Sequence, residues 1–150
     1  MVDRKLTGNN RAAFPVTITL DAIPAKFSAA QEQIRKYLST FPCSMKTLLE
    51  LDMIVEEIFI NIAKYAYEKK TGLVLIDLSV DEENNTVELT FRDTGKPYDP
   101  LKKSSPDLSA PAEERSIGGL GIFLVRKYSD FMSYKYLNGE NRLTIRKILD

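Results

Sequence analysis

The chain has 150 residues, and its 21 Lys and Arg residues balance its 21 Asp and Glu residues. A chain of this length buries about 70% of the surface that its unfolded form exposes, which predicts a single domain, residues 1–150, with one core. The balanced charge offers no general attraction for nucleic acid or an anionic membrane surface. The absence of histidine excludes Ser-His-Asp and Cys-His catalysis and histidine zinc ligands within this chain.

The expected setting is the cytoplasm. No apolar run approaches the roughly 20 residues that span a bilayer, and "MVDRKLTGNNRAAF" lacks the apolar centre of a secretory signal. Cys43 is the one cysteine, which excludes an internal disulfide and favours a reduced intracellular environment. We therefore expect no membrane partner and no direct nucleic-acid partner.

The first half of the chain predicts one strand and two helices. "FPVTITL" (14–20) alternates as a strand does, and residues 24–41 have helical apolar spacing, with Pro24 in the first turn. A second helix is expected from a cap at Ser44 to about Lys69.

The second half predicts two hairpins and a third helix. "GLVLIDLSVDEENNTVELTFRD" alternates on both sides of Asn84 and Asn85, and "FMSYKYL" and "RLTIRKIL" flank the turn "NGEN". Between the hairpins lie a loop, residues 96–117, and the helix that starts with "GGLGIFLV". Because the long helical segments do not alternate singly with strands, we expect an α+β fold. This fold is a two-layer sandwich with a mixed, mostly antiparallel sheet and helices on one face.

A polar stripe interrupts the second helix. At about 100° per residue, five side chains fall within about 40° of one line along the helix: Glu50, Glu57, Asn61, Lys64 and Glu68. One interpretation is a solvated stripe with Lys64 and Glu68 paired one turn apart. The other is a helix that lines a polar cleft, because an acid and a carboxamide among apolar residues are costly unless water or a ligand satisfies them.

An aspartate ends an apolar row on the strand "TVELTFRD". Val87, Leu89, Phe91 and Asp93 project to one side of this strand by the period-two rule. A carboxylate there, followed by Gly95 where a ligand can approach the backbone, suits recognition of an amino or amide group at a pocket floor. The alternative is a simple turn after a strand.

The loop 96–117 exceeds the roughly 12 to 15 residues above which structureless connections are uncommon, so it predicts either a lid or a disordered insertion. The glycine cluster that follows, Gly118, Gly119, Leu120 and Gly121, opens a helix. Its free amide groups and the helix dipole can hold an anion such as phosphate. The cluster lacks the spacing of a Walker A loop or a dinucleotide fingerprint.

The order of these features resembles the GHKL ATPase superfamily, whose members include gyrase, histidine kinases and the anti-sigma-factor serine kinases. The resemblance covers residues 14–148. "EEIFINIAKYAY" looks like the N box of this superfamily, "DTGKPYDP" like its first glycine box and "GGLGIFLV" like its second. The two glycine boxes look most like those of the bacterial anti-sigma-factor kinases. The implied fold is the Bergerat-type ATP-binding fold, with an ATP lid at about 96–117.

The resemblance implies ATP and Mg²⁺ as cofactors and gives each matching residue a role. Asn61 would hold Mg²⁺ against the phosphates, and Glu57 would be the general base. Asp93 would accept a hydrogen bond from the adenine amino group, and Gly95 would give the base room. The remaining matches are the phosphate-side segment Gly118, Gly119, Leu120 and Gly121, a hydroxyl near adenine at Thr144, and Lys64, which either steers phosphate or is a surface cation.

One departure from the family pattern narrows the choice among the branches of the superfamily. Family members often carry histidine shortly after the asparagine, where this chain has "AKYAY" with Tyr65. A chain without histidine cannot be a self-contained histidine autokinase, which favours the serine/threonine kinase branch. The implied function is an anti-sigma regulatory kinase that binds a sigma factor and phosphorylates a STAS-type anti-anti-sigma partner. The branch is often dimeric, so a homodimer is one expectation.

Two other functions remain open from the sequence. In a non-catalytic switch, ATP would order the lid and change the affinity for a partner, which requires the nucleotide site but not Glu57. In an aspartic protease, Asp93 of the Asp-Thr-Gly sequence would pair with a second carboxylate across a dimer. The long helical segments disfavour the protease, because that chemistry needs a mostly β scaffold.

Overall fold

A computed structural model describes residues 15–68, 70–102 and 119–150, with residues 119 and 120 described by their backbone alone. Five strands form one sheet, which has the order β1-β2-β3-β5-β4. Their bounds are β1 Val16–Asp21, β2 Leu73–Asp81, β3 Thr86–Asp93, β4 Phe131–Leu137 and β5 Glu140–Ile148. Both predicted hairpins are present, and every strand pairing in the described part is antiparallel rather than mixed.

Residues with positive φ close both hairpins. Asn85 (φ 52°) ends the β2–β3 turn, and Asn138 (φ 53°) and Gly139 (φ 77°) form the β4–β5 turn. Two successive residues with positive φ are typical of the turn that matches the right-handed twist of paired strands. These turns set the register within each hairpin, and the pairing of β3 with β5 then places Asp93 opposite Asn141.

The helices are α1 Phe27–Leu38, α2 Met45–Asn61 and α3 Gly119–Tyr128. A 3₁₀ turn, Pro24–Lys26, leads into α1, and the Ser44 hydroxyl caps α2 by accepting the Thr47 amide at 3.1 Å. Within the described ranges, no helix has the length and apolar character that crossing a membrane requires.

The α-helical part of the second predicted helix is shorter than expected and ends at Asn61. After Asn61 the chain forms a π-helical turn, Ile62–Ala66, instead of continuing to Lys69. The Ala66 carbonyl accepts the Lys96 amide at 3.1 Å, and the Tyr67 hydroxyl donates to the Leu73 carbonyl at 2.5 Å. These tertiary hydrogen bonds replace the bonds of a further helical turn. Single π turns occur often at functional sites.

One face of the sheet carries the core. Val74, Ile76, Leu78, Val87, Leu89, Phe91 and Ile145 are almost completely buried on that face, as are Ile54, Val55, Ile58 and Phe59 of α2. The opposite face is polar, with the Arg92 guanidinium between Asp77 (2.7 Å) and Glu140 (3.3 Å). The expected α+β fold with helices on one face is therefore confirmed. Within the predicted loop 96–117, Pro100–Lys102 forms a 3₁₀ turn, and residues 103–118 lie outside the described residues.

Candidate functional site

A cavity of about 320 Å³ lies between α2, α3 and the helix-covered face of the sheet. Its volume is in the range of small-molecule sites. The π turn and the segment after β3 complete its walls. The lining residues are Glu57, Ile58, Asn61, Ile62, Tyr65, Ala66, Phe91, Asp93, Lys96, Tyr98, Pro100, Ile122, Val125, Tyr134, Asn141 and Leu143. The walls are mainly apolar with a few polar groups, an arrangement typical of small-molecule sites.

Asp93 is the buried acid of this cavity, with 5% of its surface exposed. Its Oδ1 accepts the Gly95 amide at 2.9 Å and the Asn141 side-chain amide at 3.0 Å. Its Oδ2 has no hydrogen-bond partner among the described residues, so this oxygen can accept a hydrogen bond from a ligand. Burial raises the pKa of the Asp93 carboxyl, and the hydrogen bonds from Asn141 and Gly95 oppose that rise.

Asn141 is a site residue that the sequence analysis missed. Its side chain is 6% exposed, and besides Asp93 its Nδ2 donates to the Lys96 carbonyl at 2.9 Å. Its Oδ1 accepts the Tyr98 amide at 3.0 Å and the Tyr134 hydroxyl. One amide thus joins β4, β5 and the chain leaving β3, and it orients Asp93. The period-two rule was the available signal, because Asn141 shares the face of Leu143 and Ile145.

Two predicted site residues do not reach the cavity. Thr144 lies on the polar face of the sheet, where its hydroxyl is 3.0 Å from that of Thr90. Because side chains alternate along β5, Thr144 points away from the face that carries Leu143, and the predicted contact with adenine is wrong. Lys64 is exposed and is not among the lining residues, which agrees with the surface-cation interpretation.

Gly95 has a steric requirement for glycine. A Cβ atom at this position would lie 2.3 Å from the Ala66 carbonyl oxygen, a backbone atom that cannot move aside easily. The Lys96 amide, one residue later, donates to the same carbonyl. The chain after Asp93 is therefore pressed against the π turn, which closes one side of the cavity.

Glu57 and Asn61 lie one turn apart at the end of α2, half-buried, and both line the cavity. Neither side chain has a hydrogen-bond partner among the described residues. The two other acids of the stripe are not among the lining residues and form ion pairs. Glu50 pairs with Lys147 at 2.6 Å, and Glu68 pairs with Lys96 at 3.1 Å rather than with Lys64. The cleft-lining interpretation therefore holds for Glu57 and Asn61 alone.

The first turn of α3 contacts Glu57 directly. A Cβ atom at Gly121 would lie 2.0 Å from Glu57 Oε2, so glycine is needed for the carboxylate to take this position. The first amides of a helix have no partner within the helix, and they suit an anion. Gly119 and Leu120 belong to the same turn, and Gly118 lies outside the described residues.

A metal ion could be held here only with few protein ligands. No group of three or more His, Cys, Asp or Glu side chains in the described ranges is arranged to hold one. Mg²⁺ keeps several waters and binds substrate phosphates through one or two protein oxygens. The Asn61 side chain lines the cavity and has no hydrogen-bond partner among the described residues, so its amide oxygen is compatible with such a site.

The fold and the cavity together agree with an ATPase domain of the histidine kinase type. The histidine kinase-like ATPase domain family matches residues 20–147, and the chain belongs to that family. This membership confirms the resemblance found in the sequence, and it implies an ATP-binding, kinase-like domain.

Relatives support the same assignment. The serine/threonine-protein kinase BtrW of Bordetella bronchiseptica is 28% identical over 102 residues, which cover 68% of this chain and 71% of BtrW. The RsbU and RsbW domains of a Mycobacterium tuberculosis protein match with a TM-score of 0.63 at 15% identity, over 91% of this chain and 33% of that one.

A histidine kinase domain of a blue-light-activated kinase from Erythrobacter litoralis matches with a TM-score of 0.54 at 14% identity. The match covers 84% of this chain and 60% of that one. This chain therefore spans a third to three fifths of the two solved chains. At these identities the two structures establish the fold alone.

Proposed function

We propose that this protein is an ATP-dependent serine/threonine kinase that acts as an anti-sigma regulatory factor. One observation carries the proposal: Glu57 and Asn61 line the same cavity as Asp93, and Glu57 lies against the first turn of α3. The proposal gives these residues three roles at one site: Glu57 as the general base, Asn61 as the metal-binding amide and Asp93 as the acid that recognises the adenine base. The similarity to a named serine/threonine kinase supports this branch of the family.

In this proposal, the cavity holds the nucleotide by its base. Asp93 Oδ2 accepts a hydrogen bond from the adenine amino group, while Phe91, Leu143 and Ile62 contact the ring. Asn61 would hold a Mg²⁺ ion through its amide oxygen, and the ion would neutralise phosphate charge. The amides of Gly119, Leu120 and Gly121 face the phosphates. Gly118, which the resemblance assigns to the same segment, lies outside the described residues.

Glu57 is proposed to be the general base. Its carboxylate accepts the proton of a serine or threonine hydroxyl on the partner, and the hydroxyl oxygen bonds to the γ-phosphorus. The bond from that phosphorus to the β–γ bridging oxygen breaks, and ADP leaves with the electron pair. Such transfer depends mainly on positioning and charge neutralisation, which is why α3 must hold its place against Glu57.

The proposed partners follow from the anti-sigma branch. A sigma factor is sequestered, and a STAS-type anti-anti-sigma protein receives the phosphate. We propose further that residues 1–150 act as one domain in the cytoplasm and that the protein can form a homodimer.

Calorimetric titration with ADP, with and without Mg²⁺, tests the nucleotide site first. We expect binding that Mg²⁺ strengthens, because the metal screens the charge of the phosphates against Glu57. Incubation with ATP and candidate anti-anti-sigma proteins should then yield a phosphorylated partner. Absence of ADP binding by the folded protein would contradict the proposal. Binding without transfer to any candidate would favour a non-catalytic switch.

Gly121→Ala is expected to lower the transfer rate at least about tenfold while the fold is kept, because a misplacement of about 1 Å can cost 10²-fold. The new Cβ would displace the Glu57 carboxylate, which is the far end of a flexible side chain. Thermal unfolding should show no loss, since alanine in a helix is about 0.5–1 kcal/mol more favourable than glycine. The rate of partner phosphorylation measures the effect.

Gly139→Ala is the matched control. Gly139 has φ 77° and no atom within 4 Å of its would-be Cβ. Alanine there strains the β4–β5 turn and lowers the unfolding temperature, but the transfer rate per folded molecule should match the parent. Equal transfer by Gly121→Ala and the parent would contradict the contact between Gly121 and Glu57.

A further inference from the structure

A buried ion pair in the helix layer takes no part in the chemistry proposed above. Lys147 of β5 has 8% of its side chain exposed, and its Nζ lies 2.6 Å from Oε2 of Glu50, whose side chain is 18% exposed. The same Nζ donates to the Tyr128 carbonyl at 2.7 Å. A lysine in this environment needs an explanation, because apolar residues of similar volume are often as stabilising as a buried ion pair.

Lys147 is placed to hold one end of α3. Tyr128 is the last residue of α3, and the final carbonyls of a helix have no partner within the helix. A cation at this end satisfies such a carbonyl and interacts favourably with the helix dipole. Through Glu50, Lys147 also connects this end of α3 to α2.

Glu57 of α2 contacts the other end of α3 at Gly121. Glu50 and Glu57 are seven residues apart, which places them within about 20° of one line and about 10 Å apart along α2. Gly121 and Tyr128 are also seven residues apart. The two helices therefore run antiparallel side by side, with one α2 carboxylate at each end of α3.

In this arrangement, a displacement of one end of α3 also displaces its other end. A helix of ten residues moves as a unit, so release of its last turn from Lys147 would also shift its first turn relative to Glu57. We propose that Lys147 and Glu50 are positioning residues that set the place of the first turn of α3 against Glu57 and the nucleotide phosphates. The inference rests on the proposed kinase function, but its structural part can be tested without activity.

The main test is Lys147→Met, which keeps the length of the side chain and removes its charge and donors. We expect the Gly121 backbone amide resonance to shift in the NMR spectrum of the protein. At saturating ATP, the transfer rate should fall at least about tenfold, while the KM for ATP changes less than about threefold, because the base rather than the nucleotide pocket is misplaced. Lys147→Arg, which keeps a donor and a charge, should recover part of the rate.

Arg146→Met is the matched control. Arg146 is the neighbouring residue, and its ion pair with Glu88 at 2.6 Å lies on the polar face, away from α2 and α3. This variant should leave the Gly121 resonance and the transfer rate as in the parent. If Lys147→Met does not fold, Glu50→Gln, which keeps an acceptor and the side-chain shape, provides the same two readouts.

The outcomes separate the two claims. If Lys147→Met or Glu50→Gln folds and keeps both the Gly121 resonance and the transfer rate of the parent, the positioning role is overturned. If the parent phosphorylates no partner while the Gly121 resonance still shifts in Lys147→Met, the result would contradict the proposed kinase function but support the role of Lys147 in placing α3. A shift equal to that caused by Arg146→Met would also overturn the inference.

Discussion

Asp93→Asn is expected to weaken ADP binding about 10- to 100-fold, since a hydrogen bond to a charged group contributes about 1.5–3 kcal/mol. In the parent, Asp93 Oδ1 accepts hydrogen bonds from Gly95 and Asn141, and Oδ2 is left for the ligand. The asparagine keeps its oxygen toward those two donors and therefore turns its NH₂ group toward the adenine amino group. Two donors then face each other. Titration calorimetry with ADP measures the loss.

Asp77→Asn is a suitable control for this substitution. Asp77 lies on the adjacent strand but on the polar face, where it accepts hydrogen bonds from Thr17 at 2.7 Å and Arg92 at 2.7 Å. Its replacement should leave ADP affinity at the parent value. Unaltered ADP affinity in Asp93→Asn would remove Asp93 from base recognition.

The pH dependence of binding gives an independent check on Asp93. Burial raises the pKa of its carboxyl, so in the free protein this group takes up a proton at a higher pH than an ordinary aspartate does. The ionised carboxylate is the stronger acceptor, and ADP affinity should therefore be full above the raised pKa and fall as the pH drops through it. Asp93→Asn should lack this acid-side decrease.

Glu57→Ala is expected to lower phosphoryl transfer about 10²- to 10⁴-fold, the usual contribution of a positioned general base. With Mg²⁺ present, ADP affinity should change less than about threefold, because the metal screens Glu57 from the phosphates and Glu57 is proposed to act on the hydroxyl of the partner rather than on the base. The rate of appearance of phosphorylated partner measures transfer, and calorimetry measures ADP binding. Together the two measurements separate catalysis from nucleotide recognition.

Glu56→Ala is the control, since Glu56 is the preceding residue of α2, exposed and outside the cavity lining. We expect the transfer rate and the ADP affinity of this variant to equal those of the parent. Equal transfer rates in Glu57→Ala and the parent would assign the base to another group. A parent that binds ADP and changes its affinity for a partner without phosphorylating it would instead support the switch, for which Glu57 is dispensable.

Local patterns determined most of the fold. Alternating apolar residues located the strands, Ser44 marked the start of α2, and Asn-Gly at 138–139 marked the second hairpin turn. Each of these signals depends on residues close in sequence, whose backbone preferences act before any distant contact forms. Local patterns also identified the family, through the motif around Glu57 and Asn61, the end of β3 at Asp93 and the glycine cluster at the start of α3.

Tertiary structure decided which side chains share the cavity. Asn141 lies beside Asp93 only because β5 pairs with β3 in one register, whereas Thr144 faces away because side chains alternate along β5. The end of the α-helix at Asn61, the contact of Glu57 with Gly121 and the burial of Lys147 with Glu50 likewise depend on residues distant in sequence. The periodicity of apolar residues shows which face of its own helix or strand a residue occupies. Which residue of another element it contacts depends on how the elements pack, and that packing is determined by the whole core.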